Sequence, residues 1–500
     1  MLAQIVPQFN AHAAQQHLTE TVSWLEQAVV NNVAAHEVER HILRQVLAMG
    51  HALFDGFLQS VGPGDQGETA VLPNGRIINR LPESTRRLLT IFGESTVSRF
   101  GYGKRVGQKI EWVPTDQRLQ LPEGELSYLL QEWDQMLDIE HPFGKVAQSL
   151  HDLLGLDQSV DTLEHNNRQM AQGAAAFRQQ QPAPDPAAEG EILVASEDNK
   201  GIPMVRPAPA APAGAHRNKG EKANKKQMAC IGCVYTVNPH VRTAEELIAA
   251  LFRDPGRRPQ GTPEACQKRY WAELTRKVAG KVVRGQDEVF RQMAGHIKQR
   301  RKPGQKLVNL CDGQRSLETD RTEHLPIDEN TIDILDLMHV LPRLWEAAHL
   351  FHAEGSDEAS SFVRERLPYV LNGLAKDVIS ELRQMGTQHR LRGAKAKRLK
   401  KLCAFLERNL HRMKYDEYLK AGYPIATGVI EGACRHVIKD RMERAGMRWT
   451  VAGAQAMLEL RTIAINGDWK AFIAYRIEQE NKRLYPYKDM IETIPSAIAA

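Results

Sequence analysis

Short apolar runs that end in acids or turn residues constrain the fold of this chain more than any other feature of its sequence. The stretch ILVASEDNKGIPMVR predicts two strands joined by a Lys-Gly turn, and MACIGCVYTV predicts a third strand. A helical stretch, TAEELIAALF, separates these from two more strand-like runs, QKLVNLCDG and TIDILDLMHV. Strands in this order, with helices between and after them, predict a mixed, helix-rich α/β domain.

Size and composition narrow the class of protein. A length of 500 residues predicts more than one domain, and 42% hydrophobic with 25% charged residues is typical of a soluble globular protein. No run approaches ~18 consecutive apolar residues, and the N-terminus lacks a basic segment followed by an apolar one. The six cysteines do not suggest a disulfide framework. We therefore expect a cytoplasmic protein with no membrane partner.

Positive charge is concentrated in one part of the chain. Residues 206–306 contain 22 Lys and Arg against 8 Asp and Glu, whereas the remainder contains 44 against 53. Such a basic region in an otherwise acidic protein predicts a polyanionic partner such as nucleic acid. The alternative is a solvated linker followed by a charged helix face.

A helical hairpin precedes the strand-like runs, in GKVAQSLHDLLGLDQSVDTLEHNNRQMAQ. The first helix is expected to end near Gly155, and Ser159 is a plausible N-cap for the second. On the second helix, apolar positions share one side, and the polar residues that we expect on the opposite side are Thr162, His165, Asn166 and Gln169, with Arg168 nearby. This pattern suits a helix-turn-helix that reads base edges, although any helical hairpin can look similar.

Three acids stand at the edges of apolar runs. Asp198 and Asp312 are each expected at a strand end followed by a turn, where ligand sites often form. Glu431 lies at the rim of a helix whose buried residues are predicted to be Ile430, Cys434, Val437 and Ile438. A carboxylate at an apolar rim needs a counter-charge, which Arg435 one turn later could supply, or a metal ion.

Converging carboxylates would repel one another and raise each other's pKa. Hard divalent cations relieve that repulsion, and oxygen ligands select Mg²⁺ or Mn²⁺ over zinc. Two such ions can activate a water or a 3′-hydroxyl and stabilise the leaving oxygen of a phosphodiester. Asp198, Asp312 and Glu431 are therefore candidate metal ligands.

The motifs DNKGIPM, CVYTVNP, DGQRSLE, LDLMHVLPRLWEAA and GYPIATGVIEGACRHVIKDRMERAGMRW resemble those of bacterial insertion-sequence transposases of the ISKra type. The amino half, in LLTIFGESTVSRFGYGKR and LPEGELSYLLQ, is similar to the same family. The resemblance covers most of residues 85–475 and implies an RNase H-like catalytic domain of the DDE superfamily. It implies transposition of DNA, with two Mg²⁺ or Mn²⁺ ions, double-stranded DNA as partner and a homodimer or larger assembly.

By this resemblance, Asp198 matches the first catalytic Asp and Glu431 the catalytic Glu. We take Asp312 as the second Asp. Asp336 is the alternative, because with His339 it forms the Asp-x-x-His element of many relatives; otherwise both have a supporting role. Asn199 departs from the family, whose members often have Gly or Cys after the first Asp.

Further candidate DNA contacts follow the glutamate. RMERAGMRW combines arginines for phosphates with an aromatic residue for base stacking, and an exposed helix end with one core Trp is the alternative. The candidates are Arg435, Arg441, Arg444, Arg448 and Trp449.

The Cys230-x-x-Cys233 pair lacks a second metal-ligand pair, so we predict that it packs in a core strand.

These observations divide the chain into successive segments. We predict a helical region at 1–62 for dimerisation, a β-rich segment at 63–123, the helix-turn-helix region at 124–180, a linker at 181–190, the first part of the catalytic core at 191–354 with a basic insertion at 206–226, a basic helical insertion at 355–420, and the C-terminal helices of the core at 421–500. Two other functions fit the same residues: a nuclease of the same fold that cuts without joining, and a non-catalytic DNA-binding protein.

Overall fold

The computed structural model describes residues 9–205, 226–254, 261, 263–426, 428–444 and 446–487. The predicted basic insertion, apart from Lys226, lies outside these residues. The chain forms two compact units, Met1–Gly173 with Trp469–Ala500 and Ala174–Asp468. None of the helices within the described ranges is long and apolar enough to cross a membrane.

The first unit combines seven described helices with small antiparallel sheets. Its helices are α1 His12–Val30, α2 Ala35–Val61, α3 Pro114–Leu119, α4 Tyr128–Asp138, α5 Phe143–Leu154, α6 Val160–Ala171 and α19 Trp469–Leu484. Its strands are β1 Thr69–Val71, β2 Ile77–Arg80, β3 Ser84–Thr90, β4 Gly93–Arg99, β5 Tyr102–Gly103 and β6 Ile110–Trp112. The strands form a sheet of order β1-β2-β5-β6 and a separate β3-β4 hairpin, so the β-rich character expected here is present.

The predicted helical hairpin is confirmed as α5 and α6. Gly155 ends α5 in the left-handed conformation, with φ 69°, which glycine adopts without strain. Ser159 caps α6 by accepting the Thr162 N–H. The expected outward face is only partly correct: His165 is exposed, but Asn166 is buried. The buried face of α6 is therefore more polar than its apolar periodicity indicated.

The last helix groups with the first unit, although the sequence placed residues 421–500 in one segment. Gln117 Nε2 donates to the Tyr487 carbonyl at 2.7 Å, and Arg483 forms an ion pair with Glu123 at 2.6 Å. The Tyr485 hydroxyl donates to the Leu121 carbonyl. These contacts join positions far apart in sequence, so local pattern could not reveal them.

The second unit contains one larger sheet and most of the helices. Its strands are β7 Ile192–Pro203, β8 Lys226–Val237, β9 Cys266–Leu274, β10 Arg276–Val278, β11 Lys281–Val283, β12 Leu307–Cys311 and β13 Thr331–Leu335. Its helices are α7 Ala174–Gln179, α8 Ala244–Leu251, α9 Gly285–Arg300, α10 Arg315–His324, α11 Leu337–Phe351, α12 Asp357–Leu371, α13 Ala375–Gln388, α14 Gly393–Asn409, α15 Tyr415–Lys420, α16 Gly428–Ala433, α17 Asp440–Met442 and α18 Val451–Ile465. A π-helical stretch, Cys434–Lys439, joins α16 to α17, and short 3₁₀ turns occur at Pro186–Ala188 and Leu410–Arg412.

The main sheet has the order β13-β12-β7-β8-β9. Strand β8 is antiparallel to both β7 and β9, whereas β12 is parallel to both β7 and β13. The predicted mixed α/β class is confirmed. Strand β9 has no counterpart among the strands predicted from the sequence.

The predicted Lys-Gly turn after Asp198 is wrong. Residues Asn199, Lys200 and Gly201 continue β7 and pair with Cys230, Ala229 and Met228 of β8. The long partner strand satisfies their backbone hydrogen bonds, which removes the need for a turn. Asp198 consequently lies within a twelve-residue strand and not at its tip.

Helix α9 packs closely on the sheet at Gly232. A Cβ atom built there would lie 2.5 Å from Val289 Cγ1 and clash with the Met293 side chain. Val289, Met293 and Phe290 belong to a buried apolar cluster with Leu193 of β7. This core fixes the strand that carries Asp198.

Candidate active site

Asp198 is positioned by the pleat of β7. Successive side chains point to opposite faces, so Asp198 shares a face with Lys200 while Glu197 points the other way. The Asp198 carboxylate is half-buried; Oδ1 accepts the Asn199 N–H at 2.7 Å, and Oδ2 accepts the Cys434 thiol at 3.1 Å.

Asp312 immediately follows β12, the parallel neighbour of β7. Its Oδ1 accepts the Gln314 N–H at 2.6 Å, and Gly313 between them has φ 78°, which suits glycine. Burial raises the pKa of the Asp312 carboxyl, and the charge of Asp198 raises it further, whereas His339 lowers it. The Asp312 carboxyl therefore lies within electrostatic reach of both residues.

Glu431 approaches from α16. Its carboxyl is half-buried, and its Oε2 atom is buried with no hydrogen-bond partner among the described residues. Burial raises the pKa of Glu431, Asp198 adds to that rise, and His339 and Lys200 oppose it. Arg435 forms an ion pair with Asp440 at 3.5 Å, so the alternative that it neutralises Glu431 is wrong.

The helix that carries Glu431 is not a uniform α-helix. Ile430, Cys434, Val437 and Ile438 are buried as predicted, but residues 434–439 form π-helical turns. A rotation of 100° per residue therefore does not hold beyond Ala433. π-Helical turns often occur at functional sites.

Asp198 and His339 thus act electrostatically on both Asp312 and Glu431. Among the residues that the structure describes, however, no group of three or more His, Cys, Asp or Glu side chains is arranged to hold a metal ion. The unpaired Glu431 Oε2 and an all-oxygen set of carboxylates fit a hard divalent cation in chemical type. The residues are suitable ligands without being a closed coordination shell.

Asp336 has a different environment. Its side chain caps α11 by accepting the Met338 N–H at 2.8 Å, and only 2% of the residue is exposed. His339 lies one turn into the same helix and is half-buried. Asp336 therefore has a structural task at the helix start that Asp312 does not have.

The candidate DNA contacts separate into exposed and buried residues. Arg435, Arg444 and Arg448 are exposed. Arg441 is fully buried with its guanidinium 4.9 Å from the Trp449 ring centroid, and the Trp449 indole N–H donates to the Met442 carbonyl. The expectation that Arg441 and Trp449 contact DNA is wrong, because they form core packing.

On α6, His165 is exposed and Arg168 is half-buried in an ion pair with Glu164 at 3.4 Å. Asn166 is buried and cannot present its amide to a base edge of a duplex in this arrangement. Cys230 and Cys233 are buried in β8 without a disulfide, in agreement with the packing interpretation.

Three features of the site were not predicted. Cys434 was interpreted as packing, yet its thiol donates to Asp198, and it follows Glu431 by one helical turn. Lys200 lies two residues after Asp198, so strand alternation could have placed it on the same face. Behind the strand, buried Glu197 accepts a hydrogen bond from Arg321 at 2.9 Å, a long-range pair with no local signal.

No protein-family model and no curated protein matches this chain.

Proposed function

We propose that this protein is a DDE-type DNA transposase of an insertion sequence. The observation that carries the proposal is that the Asp198 charge acts on both Asp312 and Glu431, and that the Glu431 Oε2 atom is buried with no hydrogen-bond partner among the described residues. The strand order β13-β12-β7-β8-β9, with three antiparallel strands followed by two parallel ones, is the order of an RNase H-like sheet and supports the same assignment. The resemblance of residues 85–475 to ISKra-type transposases points the same way.

The side chains suit phosphodiester chemistry without a protein nucleophile. Asp198, Asp312 and Glu431 would hold two Mg²⁺ or Mn²⁺ ions, which when bound supply an activated water or 3′-hydroxyl and stabilise the leaving oxygen. His339 stabilises the ionised forms of Asp312 and Glu431. Lys200, on the same strand face as Asp198, offers a cation to a DNA phosphate. Asp312 is preferred over Asp336 because Asp312 is only half-buried, whereas Asp336 caps α11 and is 2% exposed.

Double-stranded DNA is the proposed partner. Exposed Arg435, Arg444 and Arg448 follow Glu431 in sequence and would contact phosphates, while α6 contributes His165 and Arg168. Two transposon ends must be held together for transposition, so we propose a homodimer or larger assembly on DNA in the cytoplasm.

A strand-transfer assay tests the proposal. A duplex that carries the DNA flanking the gene, pre-cut at the transposon end, is incubated with the full chain, Mg²⁺ and a target plasmid. We expect joined products, which disappear in Asp198→Asn and Glu431→Gln and persist in Asp377→Asn, an exposed acid on α13.

The same assay separates the two alternatives. Metal-dependent cutting without joining would identify a nuclease. Binding to the duplex without cutting or joining, with no effect of the two acid substitutions, would identify a DNA-binding protein that lacks catalysis.

A further inference from the structure

A polar groove within the first unit has no role in the proposed chemistry. Its volume is about 840 Å³, and it is lined by residues of α4, α6 and α19 together with the segment 123–126. That volume is within the range of sites for small molecules. Its polar lining includes Gln131, His165, Asn166, Gln169, Tyr475 and Arg476.

Gln131 gives the groove an unsatisfied acceptor. Only 5% of this residue is exposed, and its Nε2 donates to the Leu126 carbonyl at 2.7 Å. Its Oε1 atom is buried and has no hydrogen-bond partner among the described residues. A buried acceptor without a donor is costly, so it indicates a ligand that brings an N–H or O–H group.

The other lining residues match one class of ligand. Exposed Gln169 adds a second amide, and amides pair with the donor and acceptor edges of nucleobases. Tyr475 adds an aromatic ring of the kind on which bases stack.

The groove lining includes Arg476 and Arg483 together with the carboxylates Glu123, Glu125 and Glu480. Arg476 has a side chain only 14% exposed, and its ion-pair partner Glu480 is 3.6 Å away, too far for a hydrogen bond. Arg483 also lines the groove but is held by Glu123 at 2.6 Å. Arg476 is therefore the better placed of the two to receive a phosphate.

We propose that this groove binds the base of an unpaired nucleotide. The sequence predicted that polar residues of α6 contact base edges of a duplex. In this groove they would instead bind a base that has left the base stack. Extrusion of a base from a duplex exposes the edges that amides recognise. The nucleotide could belong to DNA, and only this possibility rests on the proposed function. A free nucleotide would offer the groove the same base.

Binding of single-stranded DNA to the full chain in EDTA tests the inference. Two fluorescent oligonucleotides of equal length are compared by anisotropy, one complete and one with its central bases removed. The backbone charge is the same, so a difference in affinity reports base recognition. The variants are Gln131→Leu and Tyr475→Leu, and Gln148→Leu on exposed α5 surface is the control.

We expect the complete oligonucleotide to bind at least about tenfold more tightly than the abasic one. Both groove variants should lose this discrimination, and the control should keep it. Tyr475→Leu keeps the test valid if Gln131→Leu does not fold. Competition by millimolar nucleoside monophosphates would identify free nucleotides as ligands, and a lack of competition would identify a base within DNA; either supports the groove.

Equal affinity for the two oligonucleotides, no binding of either, or discrimination that persists in both groove variants would overturn the inference. Because EDTA removes divalent cations, a failure of strand transfer in the assay above does not affect this outcome. Conversely, loss of base recognition leaves the assignment of Asp198, Asp312 and Glu431 intact.

Discussion

Two carboxylate oxygens at the candidate site accept hydrogen bonds that a cation would have to replace, and a third has no such contact among the described residues. Asp198 Oδ2 accepts the Cys434 thiol, Asp312 Oδ1 accepts the Gln314 N–H, and Glu431 Oε2 is buried without a partner among the described residues. The acids could be selected from the sequence because each borders an apolar run. The thiol contact could not, since it joins residues 236 positions apart.

The Cys434 contact leads to a prediction about metal affinity. Cys434→Ala removes a donor that competes with a cation for Asp198 Oδ2. A thiol is a weak donor, so its hydrogen bond contributes roughly 0.5–1.5 kcal/mol, and we expect Mn²⁺ to bind roughly 2- to 10-fold more tightly. Isothermal titration measures the change, and Cys403→Ala, a buried cysteine on α14, should leave the affinity unaltered. Weaker binding in Cys434→Ala would mean that the thiol assists the site.

Asp134 leads to a prediction about pH. Burial raises its pKa to about 7, while Gln158 Nε2 donates to its Oδ1 at 2.9 Å. Because the folded pKa exceeds the unfolded value of 3.8, the folded state binds the proton more tightly. Stability of the first unit should therefore fall as pH rises from about 4 to 7, by on the order of 4 kcal/mol, and then level off.

Asp134→Asn removes this titration and can still accept the Gln158 hydrogen bond. Urea unfolding between pH 5 and 8 should show a flatter stability profile for this variant, and the variant should exceed the wild type at pH 8. The exposed Asp152→Asn on α5 is the control and should retain the wild-type slope. An unchanged slope in Asp134→Asn would show that another group titrates.

At the scale of elements, the sequence predicted most strand and helix types but not their extents. Apolar runs predicted β7, β8, β12 and β13. Gly155 as a helix end and Ser159 as an N-cap predicted the α5–α6 hairpin. The Lys-Gly turn failed because pairing with β8 extends β7 beyond Asp198. The π-helical turns of 434–439 depend on tertiary packing, which no periodicity of single residues encodes.

The contact between α9 and β8 tests the packing that supports β7. Gly232→Ala would place a Cβ against Val289 and Met293, so we expect overpacking to lower the free energy of unfolding by about 1–3 kcal/mol. Gly295→Ala is the control: it is exposed on α9 with open space around its Cα, and it should be neutral or stabilising by up to about 1 kcal/mol. Chemical denaturation compares the two, and equal effects would contradict the packing described here.

At the scale of the whole molecule, the sequence indicated several domains and a mixed sheet, whereas the structure groups the chain into two units. The chain leaves the first unit after Gly173 and returns to it at Trp469, a connection set by contacts such as Arg483 with Glu123. Linear segmentation could not find this arrangement because the partners lie hundreds of residues apart. The electrostatic effect of Asp198 on Asp312 is likewise a product of the sheet order, because β7 and β12 are neighbours.

The binding of Mn²⁺ to the full chain, followed by electron paramagnetic resonance, tests whether Asp198, Asp312 and Glu431 hold the same metal ions. We expect that wild-type protein depletes the signal of the free ion, and that Asp198→Asn, Asp312→Asn and Glu431→Gln each weaken binding at least about tenfold. Asp336→Asn and Asp377→Asn should bind as the wild type does. Burial raises the pKa of Glu431, so Glu431→Gln should fold normally and its loss of binding would not reflect unfolding. Unchanged Mn²⁺ affinity in all three acid variants would contradict the account.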